Sequence, residues 1–158
     1  MTNEDKKDFN AMLHDNKDML KIQIITDLKS IEKYEGSKMY FAPLIDYDRV
    51  MKKITYGKVI TVGKIREYFA KLKGADFTEP ITTGIFVFIA AWTSYQRTDD
   101  VPYWRTLQTK GELNEKYPNN IEAQKEKLET EGHTILQKGR KNICYYVKDY
   151  EKFLFDLQ

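Results

Sequence analysis

The sequence has very few of the residues that build disulfide-linked or metal-stabilised folds. Its 158 residues contain one cysteine and only two histidines, His14 and His133. One cysteine excludes an internal disulfide framework and a cysteine-rich zinc site, and two histidines exclude a multi-histidine metal centre. No apolar run approaches the roughly 20 residues that span a bilayer. We therefore expect no metal ion, no cofactor and no membrane partner.

The net charge is also small. The chain has 26 lysines and arginines against 24 acidic residues, which leaves a formal charge of +2 and excludes a histone-like or polybasic protein. The first residues are polar and acidic, unlike a secretion signal, so we expect a cytoplasmic protein. With 41% hydrophobic and 13% aromatic residues, the chain can build one ordinary core.

The charges are unevenly distributed along the chain. Residues 1–35 carry eight acids and six lysines, whereas the remaining residues carry an excess of four bases. Between Arg49 and Lys73, eight basic residues accompany a single acid, Glu67. Such a segment is typical either of a solvated helical face or of a surface that contacts phosphates, and the segment taken alone leaves both interpretations open.

The N-terminal part of the chain shows helical periodicity. The spacing of its apolar residues predicts a short helix over residues 4–14 and a second, amphipathic helix over residues 17–34. Gly36 ends the pattern. We interpret residues 1–36 as an N-terminal helical extension that covers an apolar face of a main domain formed by residues 40–158.

The main domain begins with the outline of a helix-turn-helix. A helix capped by Asp46 or Asp48 is predicted first, and Tyr56-Gly57 then turns the chain. Thr61 is the predicted N-cap of a basic helix that ends at Gly74.

A further helix is predicted over roughly residues 80–96, with Thr78 or Thr82 as its cap. Residues 85–92 are apolar almost all round, so we expect most of this helix to lie in the core. The order of a turn, a basic helix, a short loop and a helix is that of the helix-turn-helix motif.

The C-terminal third predicts a small β component. Residues 101–107 are typical of a short extended segment, and a helix over residues 121–131 precedes two strands over residues 134–136 and 143–147. The segment Lys138-Gly139-Arg140-Lys141 forms the basic tip of this hairpin.

A last helix is predicted after Asp149, its cap. Because a helix-turn-helix followed by a basic hairpin is the winged-helix pattern, the expected fold is mostly α with a small β component. It is a winged helix-turn-helix-like DNA-binding domain with the N-terminal helical extension added.

Four blocks of the sequence carry a resemblance to a known family. YGKVIT at residues 56–61 is similar to a turn that enters a helix-turn-helix, and VPYWR at 101–105 is similar to a Pro-Cys-His-Arg active-site block. Residues 111–117 are similar to a loop that closes over a base, and 122–133 to a helix that ends in Glu-Gly. In this order they resemble the DNA-binding domain of the methylated-DNA-protein cysteine methyltransferase family. The resemblance extends to its non-enzymatic branch, the alkyltransferase-like proteins.

The chemistry of that family needs a thiolate. A cysteine, hydrogen-bonded to a histidine that a glutamate orients, accepts the alkyl group. The matching positions are Tyr103 for the cysteine, Trp104 for the histidine and Glu131 for the glutamate. A phenol with an ordinary pKa of about 10 and no base beside it is a poor acceptor. The resemblance therefore implies a protein that is not an enzyme, and Cys144 is interpreted as a small buried strand residue.

The resemblance also implies a pocket for a base. Its expected residues are Tyr103, Trp104, Arg105, Tyr117 and Glu131. The three aromatic rings would stack on the base, and Arg105 would hold the loop or contact a phosphate. The alternative for the same aromatic side chains is a core position beneath the sheet.

Two positions depart from the family's pattern. The tyrosine that rotates the base out of the duplex is matched by Val62. The family fills the gap in the duplex with an arginine of the recognition helix, but no arginine lies between Arg66 and Arg97. Phe86 or Val87 occupies that place. An apolar wedge between bases and a buried core position both fit Phe86, and we favour the core.

Phosphate contacts are expected from the basic residues of the helix-turn-helix and the hairpin tip. These residues are Lys52, Lys53, Lys58, Lys64, Arg66, Lys71, Lys138, Arg140 and Lys141. The first hypothesis is a non-enzymatic, alkyltransferase-like protein that binds double-stranded DNA, recognises alkylated guanine and works with a repair-protein partner. The alternative is a protein- or small-ligand-binding module without a DNA role, whose acidic N-terminal residues cover the basic face.

Overall fold

The structure is a computed structural model that describes residues 22–97 and 101–157. Its α-helices, α1 to α5, span Leu28–Tyr34, Leu44–Lys53, Val62–Lys73, Pro80–Arg97 and Asn120–Thr130. Its strands, β1 to β7, span Ile22–Ile24, Lys38–Tyr40, Ile60–Thr61, Phe77–Thr78, Thr106–Leu107, Ile135–Lys138 and Cys144–Val147. Short 3₁₀ helices occupy Tyr103–Arg105, Thr109–Gly111 and Tyr150–Phe153.

The predicted helix over residues 4–14 lies outside the described residues. The prediction of one helix over residues 17–34 is wrong for residues 22–34, because the strand β1 precedes the helix α1 there. Asp27 explains the late start of α1, since its carboxylate accepts a hydrogen bond from the Ser30 amide at 3.1 Å and so caps the helix there. The boundary between residues 1–36 and 40–158 stays a prediction.

Strand β1 belongs to a three-stranded sheet in the order β1–β2–β4. It runs antiparallel to β2, with Ile22 opposite Tyr40, and β2 runs parallel to β4. Tyr40 is buried, so the start of the described chain lies beside the main core. The sheet joins this part of the chain to the strand that follows the basic helix.

The first predicted cap of the main domain is wrong. Helix α2 begins after Pro43, whose extended backbone leads into the helix, so neither Asp46 nor Asp48 is its cap. Asp46 lies in the first turn instead, where a negative charge is favourable. The predicted turn at Tyr56-Gly57 is confirmed, and Gly57 has a positive φ of 79°.

Helix α3 begins and ends where the sequence predicts. The Thr61 hydroxyl accepts a hydrogen bond from the Lys64 amide at 3.2 Å, and Gly74 ends the helix in the left-handed conformation. The helix packs into the core through its apolar side, which includes the buried Phe69. Leu72, near the end of the same helix, is 61% exposed.

Helix α4 has a different cap from the two threonines predicted. The Glu79 carboxylate accepts hydrogen bonds from the amides of Ile81 and Thr82, at 2.9 and 2.6 Å. The prediction of Thr78 or Thr82 is therefore wrong. A negative carboxylate is favoured here by the positive end of the helix dipole.

Helix α4 is also less buried than predicted. Its inner side packs in the core, but Ile81, Ile85 and Tyr95 are 74%, 51% and 43% exposed. The helix packs against neighbours on one side only, so its outer apolar stripe is left at the surface. Phe86 is half-buried and packs edge-on against the Tyr47 ring at 5.9 Å, which confirms the core position for this residue.

The C-terminal third forms the predicted hairpin. Strands β6 and β7 pair antiparallel, with Ile135 opposite Val147, and the basic segment 138–141 forms the tip. The extended segment over 101–107 is only partly confirmed, because a 3₁₀ turn precedes β5. β5 then pairs parallel with β3.

The last predicted helix is wrong. After the 3₁₀ turn the chain is extended, and Val59 exchanges backbone hydrogen bonds with Phe153 and Phe155 at 2.9 and 2.8 Å. These bonds hold the C-terminal segment as a short bridge to the helix-turn-helix. Asp149 has a positive φ of 54° and makes no capping side-chain bond.

Two apolar clusters stabilise this arrangement. The larger lies among α2, α3 and α4, and the smaller lies beneath the hairpin and α5. No helix among the described residues has the length and hydropathy needed to cross a membrane. The fold class is confirmed as mostly helical, with a winged helix-turn-helix-like arrangement.

Candidate functional site

Glu131 is the polar centre at which distant parts of the chain meet. It lies at the end of α5, and its side chain is 4% exposed. Its carboxylate accepts hydrogen bonds from Arg105 Nε at 2.9 and 3.1 Å, from Trp104 Nε1 at 2.6 Å and from the Gly57 amide at 2.9 Å. It therefore joins α5, the 3₁₀ helix before β5 and the turn before α3.

The surroundings of Glu131 favour its charged form. Burial alone raises the pKa of this carboxyl, but the hydrogen bonds from Arg105, Gly57 and Trp104 outweigh burial and hold the pKa below its ordinary value. Trp104 occupies the position matched to the family's histidine. Since an indole N–H can only donate, Trp104 cannot act as a general base.

Arg105 is held in place both by hydrogen-bond acceptors and by neighbouring aromatic rings. Besides its bonds to Glu131, Arg105 donates from Nη1 to the Ile54 carbonyl at 2.6 Å. Its guanidinium lies 5.7 Å from the centre of the Tyr56 ring and 5.5 Å from that of Trp104. With 12% of the side chain exposed, this geometry favours the predicted role of holding the loop over that of contacting a phosphate.

Tyr103, at the position of the family's nucleophile, is 6% exposed. Its ring packs edge-on against Trp104 at 5.4 Å and Tyr117 at 5.5 Å. Burial raises the pKa of the Tyr103 hydroxyl, which keeps it protonated at neutral pH. Lys127 lies over the Trp104 ring, with its Nζ 4.5 Å from the ring centre. Because Tyr103 is buried and Lys127 covers the Trp104 ring, the geometry does not favour stacking of a base on either ring. Their stacking roles stay predictions.

A groove of about 820 Å³ lies between α4 and the loop over residues 115–120. Its walls are formed by Gly84, Ile85, Phe88, Trp92, Tyr95, Glu115, Lys116, Tyr117, Asn119 and Asn120. Its volume falls within the range of small-molecule sites. Among the predicted pocket residues, Tyr117 is the one that lines this groove in the described part of the chain.

Hydrogen bonds hold the loop of this groove in place. Trp92 Nε1 donates to the Lys116 carbonyl at 3.0 Å, and the Tyr117 hydroxyl donates to the Thr106 carbonyl at 2.8 Å. Burial raises the pKa of Tyr117, so it remains a donor. The buried Gln124 accepts from the Asn114 amide at 2.8 Å and thereby ties the start of the loop to α5.

The predicted phosphate-contacting residues lie around the helix-turn-helix and on the hairpin. Those that are exposed are Lys52, Lys53, Lys58, Lys64, Lys71, Lys138, Arg140 and Lys141. Arg66 is half-buried. Lys64 pairs with Glu67 at 3.3 Å and Lys52 with the buried Asp48 at 3.1 Å, so these two charges are partly neutralised. Their contacts with DNA stay predictions.

Residues 22–97 and 101–157 contain no group of three or more histidine, cysteine, aspartate or glutamate side chains placed to hold a metal ion. His133 is 5% exposed and packs edge-on against Phe153 at 5.0 Å. Cys144 lies half-buried at the start of β7, opposite Lys138. Its predicted strand position is confirmed. His14 lies outside the described residues.

Comparison with known proteins adds evidence on the fold. No protein-family model matches the sequence, and no curated protein matches it significantly. The fold is similar to that of S. pombe ATL. The crystal structure of that protein in complex with DNA matches at a TM-score of 0.51 and 22% identity, covering 72% of this chain and 94% of that chain.

A second structure, S. pombe Atl1 in complex with damaged DNA containing O6-carboxymethylguanine, matches at a TM-score of 0.49 and 21% identity, with the same coverage. At 22% identity, what the match to S. pombe ATL establishes is the fold, which agrees with the arrangement of α3, α4 and the hairpin.

Sequence reasoning missed most residues of the groove on α4. The sequence predicts core positions for Ile85 and Phe88, because residues 85–92 are apolar almost all round, and Tyr95 lies beyond that run. The sequence does contain a signal for this groove. A helix that packs on one side needs only an apolar stripe, whereas residues 85–92 are apolar almost all round. The surplus apolar side chains of α4 therefore indicate a groove.

The buried Glu131–Arg105 pair leads to a prediction about stability. Replacing Glu131 with glutamine removes the charge that Arg105 faces, and breaking a buried pair costs about 3 kcal/mol. Because the folded-state pKa of Glu131 is lowered, its contribution is complete above the ordinary value of 4.5 and is lost as pH falls through the folded-state pKa. Urea unfolding at pH 7 and pH 3 should show a gap between wild type and Glu131→Gln that narrows in acid.

Glu129→Gln is the matched control, because Glu129 lies on the same helix and is exposed. It should change the unfolding free energy by less than about 0.5 kcal/mol at either pH. If the two variants were equally stable at pH 7, Glu131 would not hold the site together.

Proposed function

We propose that the protein binds double-stranded DNA and holds a modified base, with alkylated guanine as the candidate, without reacting with it. The observation that carries this proposal is an aromatic-walled groove lying along the second helix of a helix-turn-helix. S. pombe ATL, whose fold is similar, is bound to DNA in its crystal structure. The resemblance of the sequence blocks adds alkylated guanine as the ligand class.

The groove has the chemistry that recognises a base. Phe88 and Tyr95 offer ring surfaces on which a base can stack, and such stacking contributes about 1–3 kcal/mol per base. The buried Trp92 packs against both rings from within the groove wall. Asn119 and Asn120 add amide groups that can pair with a purine edge. A base rotated out of the duplex would meet both kinds of contact between α4 and the loop.

The same chain lacks a reactive centre at the position the family uses. Tyr103 is buried and protonated, Trp104 cannot accept a proton, and Cys144 lies in the hairpin. We therefore expect no alkyl transfer. After incubation with a duplex that contains O6-alkylguanine, the intact mass of the protein should be unchanged. An increase in the protein's mass by the mass of the alkyl group would show that the protein accepts this group from the DNA. Peptide mapping would then identify the acceptor residue.

Phosphate contacts by α3 lead to a prediction about salt. Binding to a short duplex should weaken by about a thousandfold between 50 and 200 mM salt if about six phosphates are neutralised. Replacing Lys64 and Lys71 with glutamate should weaken binding and reduce the slope of log K against log salt by about 2. Fluorescence anisotropy titrations measure both quantities.

Lys29→Glu with Lys33→Glu, on α1, is the control for the change in net charge. It should leave the salt slope unchanged. Equal slopes for wild type and the α3 variant would place the phosphate contacts elsewhere.

The groove leads to a separate prediction about recognition. Replacing Ile85 with aspartate puts a charge on the groove wall, so the preference for an alkylguanine duplex over an unmodified one should fall by about tenfold. Ile81→Asp adds the same charge to an exposed position on the same helix, outside the groove walls. It should weaken binding to both duplexes alike. If Ile85→Asp kept the wild-type preference, the groove would not be the base site.

A second candidate function is a protein- or small-ligand-binding module. The exposed apolar stripe of Ile81, Ile85 and Tyr95 favours it, because α4 carries no basic residue before Arg97. Such stripes are typical of docking surfaces. The DNA titrations separate the two functions, since a module of this kind binds neither duplex. A repair-protein partner stays a prediction.

A further inference from the structure

The aromatic-walled groove beside α4 has one wall position that carries no side chain. Gly84 lies one turn inside α4, is exposed, and lines the groove. Phe88, Trp92 and Tyr95 follow it along the same face of the helix, at intervals of four, four and three residues. All three carry aromatic rings, so the glycine leaves a gap at the end of an aromatic row.

The fold does not require a glycine at this position. A β-carbon on Gly84 would lie in open space, with no atom of another described element within 4 Å. Gly84 also lacks the positive φ that makes glycine favourable at Gly57 and Gly74. Because glycine destabilises the interior of a helix relative to alanine, an alanine would both fit here and stabilise α4. The reason for the glycine therefore lies outside the packing of the chain.

The groove supplies that reason. A residue without a β-carbon lets a ligand approach the helix backbone closely. Residues four apart are neighbours on the surface of a helix, so a ring that stacks on Phe88 can extend over Gly84. A larger side chain at position 84 would fill this space and exclude the ligand from it.

We propose that Gly84 determines the size of the ligand that the groove admits, because the space over its α-carbon holds part of the bound base. This inference rests on the proposed function, since the ligand in question is the modified base. Gly84 contributes space and no hydrogen bond from a side chain. The effect of a substitution there should therefore follow the volume of the new side chain.

Two substitutions at Gly84 separate space in the groove from the stability of α4. Gly84→Ala should raise the melting temperature by about 2 °C, because alanine is the better helix former. Its preference for a duplex with O6-methylguanine over an unmodified duplex should stay within about twofold of wild type, since a single methyl group leaves most of the space open.

Gly84→Leu should also raise the melting temperature, because leucine is a good helix former and its β-carbon meets no neighbour. It should nevertheless lower the preference for the modified duplex by about tenfold, because the isobutyl group occupies the space of the ligand. Fluorescence anisotropy titrations with the two duplexes measure the preference, and thermal unfolding measures the stability.

Gly63 on α3 offers a matched control. It lies outside the groove walls, and a β-carbon there would meet its nearest neighbours, the side chains of Arg66 and Thr61, at an ordinary 3.8 Å. Gly63→Leu therefore makes the same change on the other helix of the helix-turn-helix. It should alter binding to the two duplexes alike.

The possible results separate this inference from the proposed function. A wild-type preference that Gly84→Leu retains would overturn the role of Gly84 alone. Equal weakening of both duplexes by Gly84→Leu would place Gly84 against the duplex and not against the base, which also overturns that role. A melting temperature of Gly84→Ala below that of wild type would show that the fold itself needs the glycine. If wild type bound the two duplexes equally, or bound neither, the proposed function would fail and the role of Gly84 with it.

Discussion

The buried carboxylate of Glu131 is the interaction on which the site depends. Glu131 lies at the end of α5, and its partners come from the turn before α3 and from the 3₁₀ helix before β5. A buried charge without partners is unstable, so all of these elements must be in place together. The pair with Arg105 therefore fixes the position of the helix-turn-helix relative to the C-terminal third.

The same interaction distinguishes this site from that of a thiolate enzyme. In a thiolate enzyme the glutamate orients a base, but here it accepts from Trp104 and Arg105, which only donate. Tyr103 and Tyr117 fill the interior, and a groove lies beside α4 instead. Tyr103, which the resemblance matches to the family's nucleophile, has a packing role in this chain.

Local signals in the sequence predicted the elements whose ends are fixed locally. Thr61 and Gly74 bound α3, and the basic tip marks the hairpin, because caps and turns depend on a few neighbouring residues. The two wrong predictions of helices, over residues 17–34 and after Asp149, share a different cause. Ile22–Ile24 pairs with β2, and the C-terminal segment pairs with Val59. Backbone pairing between segments far apart in the sequence overrides helical periodicity, and no local sequence pattern predicts it.

The sequence by itself determined the winged-helix order of elements, the basic segment and the absence of a cysteine from residues 101–105. It also placed Tyr103, Trp104 and Glu131 in one site through the resemblance. Only the tertiary structure decided which aromatic side chains are buried and which line a groove. Exposure depends on the side from which neighbouring helices and loops pack, and residues distant in the chain set that side.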